Sequence, residues 1–255
     1  GDSDASGYGA LNRAGALAAG LGRRAVLVRD TYPGAAAFAE RIAGSLKSAG
    51  VEVATTFAGA APNAPIEDLE RISAALAEFQ PEVIISFGGG STIDCVKAAE
   101  VVRTLGGPVD NYFGTGLVTA RMQQTGLRLT PHLAIQSAAS SSAHLTKYSN
   151  ITDLSAGQKK LIVDEAIVPA AAIFDFEATL SAPANLTADG ALDGLSHCLE
   201  VYYGASGKAG FAQIEEIAAT GIALVREYLP RVIAAPDDRE AREALALATD
   251  LGGYC

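Results

Sequence analysis

The chain has 255 residues, of which 49% are hydrophobic and 19% are charged, so it can bury a substantial core in one large or two medium-sized domains. Its formal net charge is -10 and its Lys and Arg residues are scattered singly, which argues against a nucleic-acid partner. Segment 1–9 lacks the features of a signal peptide and no apolar stretch reaches the ~18 residues of a membrane span, so we expect a cytoplasmic protein without a membrane partner.

The first part of the chain alternates short apolar runs with longer segments of helical period. This alternation is typical of parallel strands connected by crossover helices. It predicts an α/β domain with a parallel sheet over residues 1–180. The predicted strands are 25–28, 51–56, 83–86, 133–136 and 170–174, and the predicted helices are 35–49, 66–79 and 92–105.

Asp30 ends the first strand segment, in the string Val-Leu-Val-Arg-Asp. A carboxylate in this position can accept hydrogen bonds from an adenosine ribose, and a loop or capping aspartate is the alternative interpretation. Facing the ribose, Asp30 would repel a 2'-phosphate and favour NAD over NADP, although Arg29 beside it could relax that preference.

A glycine turn separates the strand over 83–86 from the helix over 92–105. Three glycines bring unhindered amides and the positive end of a helix to one point, which suits a pyrophosphate, although glycines also serve simply to make tight turns. Neither a GxGxxG fingerprint after the first strand nor a P-loop is present, so neither the standard dinucleotide fold nor a kinase-type NTPase is indicated. The candidate residues are Gly88, Gly89, Gly90 and Ser91, followed on the helix by Asp94, which could cap it instead, and Lys97.

Two of the three histidines flank the strand over 133–136. His132 precedes this strand, and His144 follows the small-residue run 137–143. We consider three roles for His144: a helix-start residue beside the cofactor, a proton relay or a neutral surface group. The sequence favours the surface group.

From about residue 180 the pattern changes to amphipathic segments over 186–203, 211–228 and 238–251, without strand-like runs between them. We therefore predict a second, all-helical domain over 181–255. Because the chain stops within this helical pattern, we expect the domain to be truncated.

Asp193 and His197 stand four residues apart in the first of these helical segments and share one helix face. A carboxylate and an imidazole suit Fe(II), Zn(II) or Mn(II), but a working site needs at least three protein ligands. A hydrogen-bonded pair without a metal is the alternative interpretation.

The cysteines are far apart in the sequence and form no CxxC pair, which indicates a reducing compartment. We expect buried or incidental thiols at Cys95, Cys198 and Cys255.

Two motifs in register resemble one known family. The stretch 85–94, with Lys97, resembles the GGGSxxDxxK signature of the iron-type (group III, metal-dependent) alcohol dehydrogenases, which include maleylacetate-reductase-like and glycerol-dehydrogenase-like members. The segment from Asp193 to Tyr203 is similar to the metal-binding helix of that family. Comparable strings also occur at 62–63 and 159–175, so the resemblance covers nearly the whole chain.

The resemblance implies an N-terminal dinucleotide-binding domain and a helical metal-binding domain, with nicotinamide and metal meeting between them. It implies a small alcohol or aldehyde substrate, NAD or NADP, Fe(II) or alternatively Zn(II), and a homodimer or larger homo-oligomer. The implied adenosine and pyrophosphate contacts are Asp30, Gly89, Gly90 and Ser91. The rest of the implied cofactor path is Asn63, Ser137, Ser141, Thr146 and Lys159. The implied metal ligands are Asp193 and His197.

The sequence also departs from the family pattern. Residues 137–144 read Ser-Ala-Ala-Ser-Ser-Ser-Ala-His where family members usually read Thr-Thr-Ala-Gly-Thr-Gly-Ser-Glu, so the hydroxyl positions are only partly kept. Two further histidine ligands would follow a helix resembling 241–253, and the chain ends before them. The alternatives to an alcohol dehydrogenase are therefore a maleylacetate-reductase-like or glycerol-dehydrogenase-like oxidoreductase, or a non-catalytic nucleotide-binding module.

Overall fold

A computed structural model describes residues 3–254, which form nine strands and eight α-helices. The strands are β1 (Asp4–Gly7), β2 (Arg24–Arg29), β3 (Glu52–Ala58), β4 (Val83–Gly88), β5 (Gly114–Thr115), β6 (His132–Gln136), β7 (Tyr148–Asp153), β8 (Gln158–Val163) and β9 (Ala171–Asp175). The helices are α1 (Ala14–Ala19), α2 (Ala35–Ser48), α3 (Ile66–Phe79), α4 (Gly90–Leu105), α5 (Leu117–Thr125), α6 (Ala184–Ala205), α7 (Phe211–Ala234) and α8 (Arg239–Tyr254).

Six strands form one parallel sheet in the order β1-β9-β6-β4-β2-β3, and the helical segment follows it, so the predicted fold class is confirmed. Every residue of β4 is buried, because helices cover both faces of the sheet. Alternate strand residues point to opposite faces. Leu27 and Ile85 pack with α1 and α2, whereas Val26 and Ile84 pack with α3 and α4.

Two strand regions were not predicted from the sequence. β1 is a short edge strand that pairs with β9, and β7 and β8 form an antiparallel hairpin that joins β5 in a second sheet. These strands are partly exposed, so they lack the continuous apolar run by which a buried strand is recognised.

The helical part consists of α6, α7 and α8, which pack around a small apolar core that includes Ala191, Val225 and Leu245. Helix α7 continues through Pro230 to Ala234, beyond its predicted end. α6 begins at Ala184, so the domain boundary near residue 180 stays a prediction. None of the helices formed by residues 3–254 is long and apolar enough to cross a membrane. Cys95 and Cys198 are buried as expected, and Cys255 lies outside the described residues.

Candidate functional site

The glycine turn lies at the carboxyl end of the central strand β4 and is hydrogen-bonded to Asp30, which follows β2. The Gly89 amide donates to Asp30 Oδ2 at 3.0 Å, and the Thr92 hydroxyl donates to Asp30 Oδ1. A side chain at Gly88 would collide with this carboxylate, which explains the glycine. Burial raises the pKa of Asp30, while the bonds from Thr92 and Gly89 oppose the rise. The carboxylate therefore supports the turn directly.

The turn has one closed side and one open side. A Cβ atom at Gly90 would collide with the Ser141 hydroxyl, whereas a Cβ atom at Gly89 would meet no atom within 4 Å. The Ser141 oxygen is buried and has no hydrogen-bond partner among residues 3–254. The first amides of helix α4 also lack partners within the helix. Open space at Gly89 and the N-terminus of α4 therefore lie side by side, which suits an anion, although the Gly89 amide itself donates to Asp30.

The loop before α3 lies against the same turn. The Asn63 amide donates to Ser91 Oγ at 3.0 Å, and the Thr152 hydroxyl donates to the Asn63 carbonyl at 2.7 Å. Asn63 has a left-handed backbone, with φ of 69°, and is exposed. Asn63 and Ser91, two of the sequence-predicted residues, therefore lie together beside the turn.

Asp94 and Lys97 lie deeper along α4 and are both buried. The Lys97 ammonium donates to three carbonyls, those of Ala143, Thr146 and Tyr148, at 2.7, 2.7 and 2.9 Å. Asp94 accepts from the Asn150 amide at 3.0 Å. Burial raises the pKa of Asp94 and lowers that of Lys97 to about 8. These two side chains hold the segment 143–150 against α4.

Lys159 lies on the hairpin opposite Thr152 and is exposed. Its positive charge lowers the pKa of Asp94, although burial outweighs this effect. Lys159 is therefore exposed to solvent but close enough to α4 for its charge to act on Asp94.

The segment 137–146, which we call the serine loop, connects the turn to the helical part. The Ser137 amide donates to the Gly88 carbonyl at 2.9 Å. A Cβ atom at Gly190 of α6 would collide with the Ala139 carbonyl, so this helix touches the loop backbone. At the other end of the loop, Thr146 Cγ2 would lie 3.6 Å from a Cβ atom at Gly253 of α8.

The prediction that His144 is a surface group is wrong. Its side chain is 2% exposed, it packs edge-on against Phe174, and its Nε2 atom lies 3.5 Å from Asp250 Oδ1 of α8. The residues around His144 do not indicate this burial, because α8, which covers it, lies about a hundred residues further along the chain. His132 lies within β6 instead of before the strand, and its Nε2 atom is 2.7 Å from the Ser86 hydroxyl.

Asp193 and His197 lie on one face of α6, with the carboxylate Oδ1 and imidazole Nε2 atoms 3.8 Å apart. Their side chains are 47% and 33% exposed, so both are accessible to an ion. They suit two ligand positions of a divalent metal. Within residues 3–254 no group of three or more potential ligands is found, so further ligands are needed to complete the site.

Helix α8 bridges this pair and the serine loop. A Cβ atom at Gly252 would lie 3.0 Å from His197 Cβ, and one at Gly253 would lie 2.5 Å from Ser142 Cβ. Ser141 in turn touches Gly90. The glycine turn and the Asp193–His197 pair are therefore joined through one loop and one helix.

The parallel sheet and the helical segment after it define an α/β protein. Its glycine turn is connected through the serine loop and α8 to the Asp193–His197 pair. The family model for iron-containing alcohol dehydrogenase matches residues 5–176, and the chain belongs to this family.

Known proteins with similar sequences or structures agree with this assignment. The NAD-dependent methanol dehydrogenase of Bacillus methanolicus is 30% identical over 248 residues, which are 97% of this chain and 62% of that protein. A 1,3-propanediol oxidoreductase structure superposes with a TM-score of 0.86 at 27% identity, covering 99% of this chain and 63% of the other. Sulfoacetaldehyde reductase from Bifidobacterium kashiwanohense, in complex with NAD+, gives a TM-score of 0.82 at 26% identity, with coverages of 98% and 64%. The chain thus spans somewhat over three fifths of their length.

Proposed function

We propose that the protein is an NAD(P)-dependent alcohol dehydrogenase that transfers a hydride between a small alcohol or aldehyde and nicotinamide. The observation that carries this proposal is the open turn at Gly89, at the N-terminus of α4, which is joined to the Asp193–His197 pair through a single loop and helix. Membership of the iron-containing alcohol dehydrogenases supports it. A cytoplasmic location and a homodimer or larger homo-oligomer belong to the same proposal.

The cofactor phosphates would bind at Gly89, Gly90 and Ser91, where helix α4 begins, and Ser141 beside Gly90 would be a further contact of the cofactor. Asp30 lies at the edge of this turn, and its negative charge would repel a 2'-phosphate. We therefore favour NAD over NADP. Both cofactors occur among the relatives, which include an NAD-dependent methanol dehydrogenase and an NADPH-dependent butanol dehydrogenase, so the preference rests on Asp30 alone.

The remaining path of the dinucleotide would follow the residues around the turn. Asn63 lies beside Ser91, and the serine loop leads from the turn toward α6. Asp94 of α4 accepts a hydrogen bond from the Asn150 amide and would act by holding strand β7 against this helix. The further proposed cofactor contacts are Ser137, Thr146 and Lys159.

Asp193 and His197 would hold Fe(II), or alternatively Zn(II), together with ligands from outside the described residues. When bound, such an ion supplies a Lewis acid that polarises the alcohol or aldehyde oxygen. The contribution of this chain is to fix a carboxylate and an imidazole on one turn of α6. The close packing of α6 on Ala139 supports a position of this pair beside the proposed cofactor path.

The activity is tested by mixing the protein with NAD+, either Fe(II) or Zn(II), and a panel of small alcohols, glycerol included. We expect reduced nicotinamide to accumulate in the presence of metal, and His197→Ala to abolish this. Maleylacetate and other carbonyl compounds, offered with NADH, test the alternative oxidoreductases.

A non-catalytic nucleotide-binding module is the second candidate, because the described residues supply only two metal ligands. Calorimetry with NAD+ and then metal separates the two functions. Nucleotide binding without metal-dependent heat and without turnover would favour the module and refute the dehydrogenase.

A further inference from the structure

The serine loop meets helix α8 in a buried polar cluster of Ser142, His144 and Asp250, which we call the α8 latch. The Ser142 hydroxyl lies 2.6 Å from the Thr249 carbonyl and 3.3 Å from Asp250 Oδ1. His144 Nε2 lies 3.5 Å from the same carboxylate oxygen. Both His144 and Asp250 are buried. Burying a carboxylate is unfavourable unless it is paired, so these contacts are needed to keep Asp250 inside.

The backbone of the latch is strained. Ser142 has φ of 49°, in the left-handed region that side chains other than glycine rarely adopt. Its hydroxyl contacts on α8 and the Lys97 bond to the adjacent Ala143 carbonyl hold it there. Strain of this kind persists only where the surroundings over-determine it. The loop is therefore held in one conformation by α4 on one side and by α8 on the other.

The latch lies between the two parts of the proposed site. Next to it in the chain, Ser141 touches Gly90 of the glycine turn. Next to Asp250, Gly252 touches His197 and Gly253 touches Ser142. A shift of α8 relative to the serine loop would therefore disturb the packing at both Ser142 and His197.

We propose that Ser142, His144 and Asp250 are positioning residues that hold the serine loop in the conformation that binds the dinucleotide. The proposal rests on the proposed function, because it assumes that the turn binds NAD. Ionic and hydrogen-bond contacts that act as one unit give non-additive effects when each partner is removed. This property distinguishes a latch from three independent packing contacts.

The test measures the dissociation constant of NAD+ for His144→Gln, Asp250→Asn, the double variant and the exchanged pair H144D/D250H. Asp237→Asn is the matched control, because Asp237 is exposed in the turn before α8. We expect each single variant to weaken NAD+ binding about tenfold, the double variant to weaken it no further, and the control to change it less than about twofold. The exchanged pair restores most of the affinity.

The latch is refuted if the single variants lose stability while NAD+ affinity stays unchanged, or if the two effects multiply in the double variant. If the unsubstituted protein binds no NAD+, the proposed function fails, and the latch is then tested by unfolding and hydrogen exchange instead of NAD+ affinity. In that case, we expect urea unfolding of the same four proteins to show coupling between His144 and Asp250, and hydrogen exchange of the His197 amide to be faster in both single variants. Absence of both effects overturns the latch.

Discussion

The stability of the protein should fall in mild acid because of His132. Burial lowers the pKa of His132 to about 3 from an ordinary value of 6.5, and the positive charge of Lys97 adds to the effect. The folded protein therefore keeps the imidazole neutral, while the unfolded chain takes up a proton below about pH 6.5. Stability contributed by this neutral histidine is complete above that pH and is lost as the pH falls toward 3.

The magnitude follows from the shift. One pKa unit corresponds to about 1.4 kcal/mol. Since about pH 5 lies about 1.5 units below the ordinary pKa of the unfolded chain, protonation of this residue lowers the free energy of unfolding by about 2 kcal/mol there. His132→Gln removes the titration, and its amide can still bond the Ser86 hydroxyl that lies 2.7 Å from the imidazole.

Urea unfolding of both proteins at about pH 7 and about pH 5 isolates the effect, because the other titrating groups are common to the two proteins. We expect the pH-dependent loss to be smaller in the variant by about 2 kcal/mol. An identical loss in the two proteins would show that His132 does not titrate on unfolding and would refute the reasoning.

Three further predictions concern the turn, the buried lysine and the metal pair. Gly89→Ala should change the free energy of unfolding by less than about 1 kcal/mol, since its Cβ meets open space, but it should weaken NAD+ binding measured by calorimetry. Gly90→Ala should also lower the free energy of unfolding, because its Cβ displaces Ser141. Equal stability of the two variants would contradict the described packing. Lys97→Met leaves three carbonyls without their donor and should cost about 3 to 5 kcal/mol in urea unfolding, and a loss below about 1 kcal/mol would be inconsistent with its bonds. His197→Ala should change stability by less than about 0.5 kcal/mol while removing the heat of metal binding, and unchanged metal binding would exclude His197 as a ligand.

Much of the central fold could be predicted from local patterns. The helix over 66–79 has in the structure the bounds that the sequence predicts, because its apolar residues recur on one face and the turn over 62–65 precedes it. The sequence also predicts β4 and the glycine turn, but the strand extends to Gly88 and the helix begins at Gly90, so the turn is shorter than the predicted segment 88–91. The edge strand β1 and the hairpin of β7 and β8 were missed, since exposed strands show no apolar run.

The candidate site was only partly predictable. The proximity of Asp193 and His197 follows from helix geometry alone, since residues four apart share a face. The support of the turn by Asp30 depends on strands β2 and β4 lying side by side, although they are far apart in the chain. The buried role of Lys97 depends on which carbonyls the serine loop brings to it.

The sequence by itself determined where the buried strands, the long helices and the glycine turn form, because hydrophobic period and glycine placement act over a few neighbouring residues. It also determined the family resemblance. Only the tertiary structure decided that His144 is buried against Asp250, that Ser141 lies beside Gly90, and that α8 connects the serine loop to His197. The physical reason is that burial and pairing of a polar side chain depend on which distant element covers it, and no local pattern records that partner.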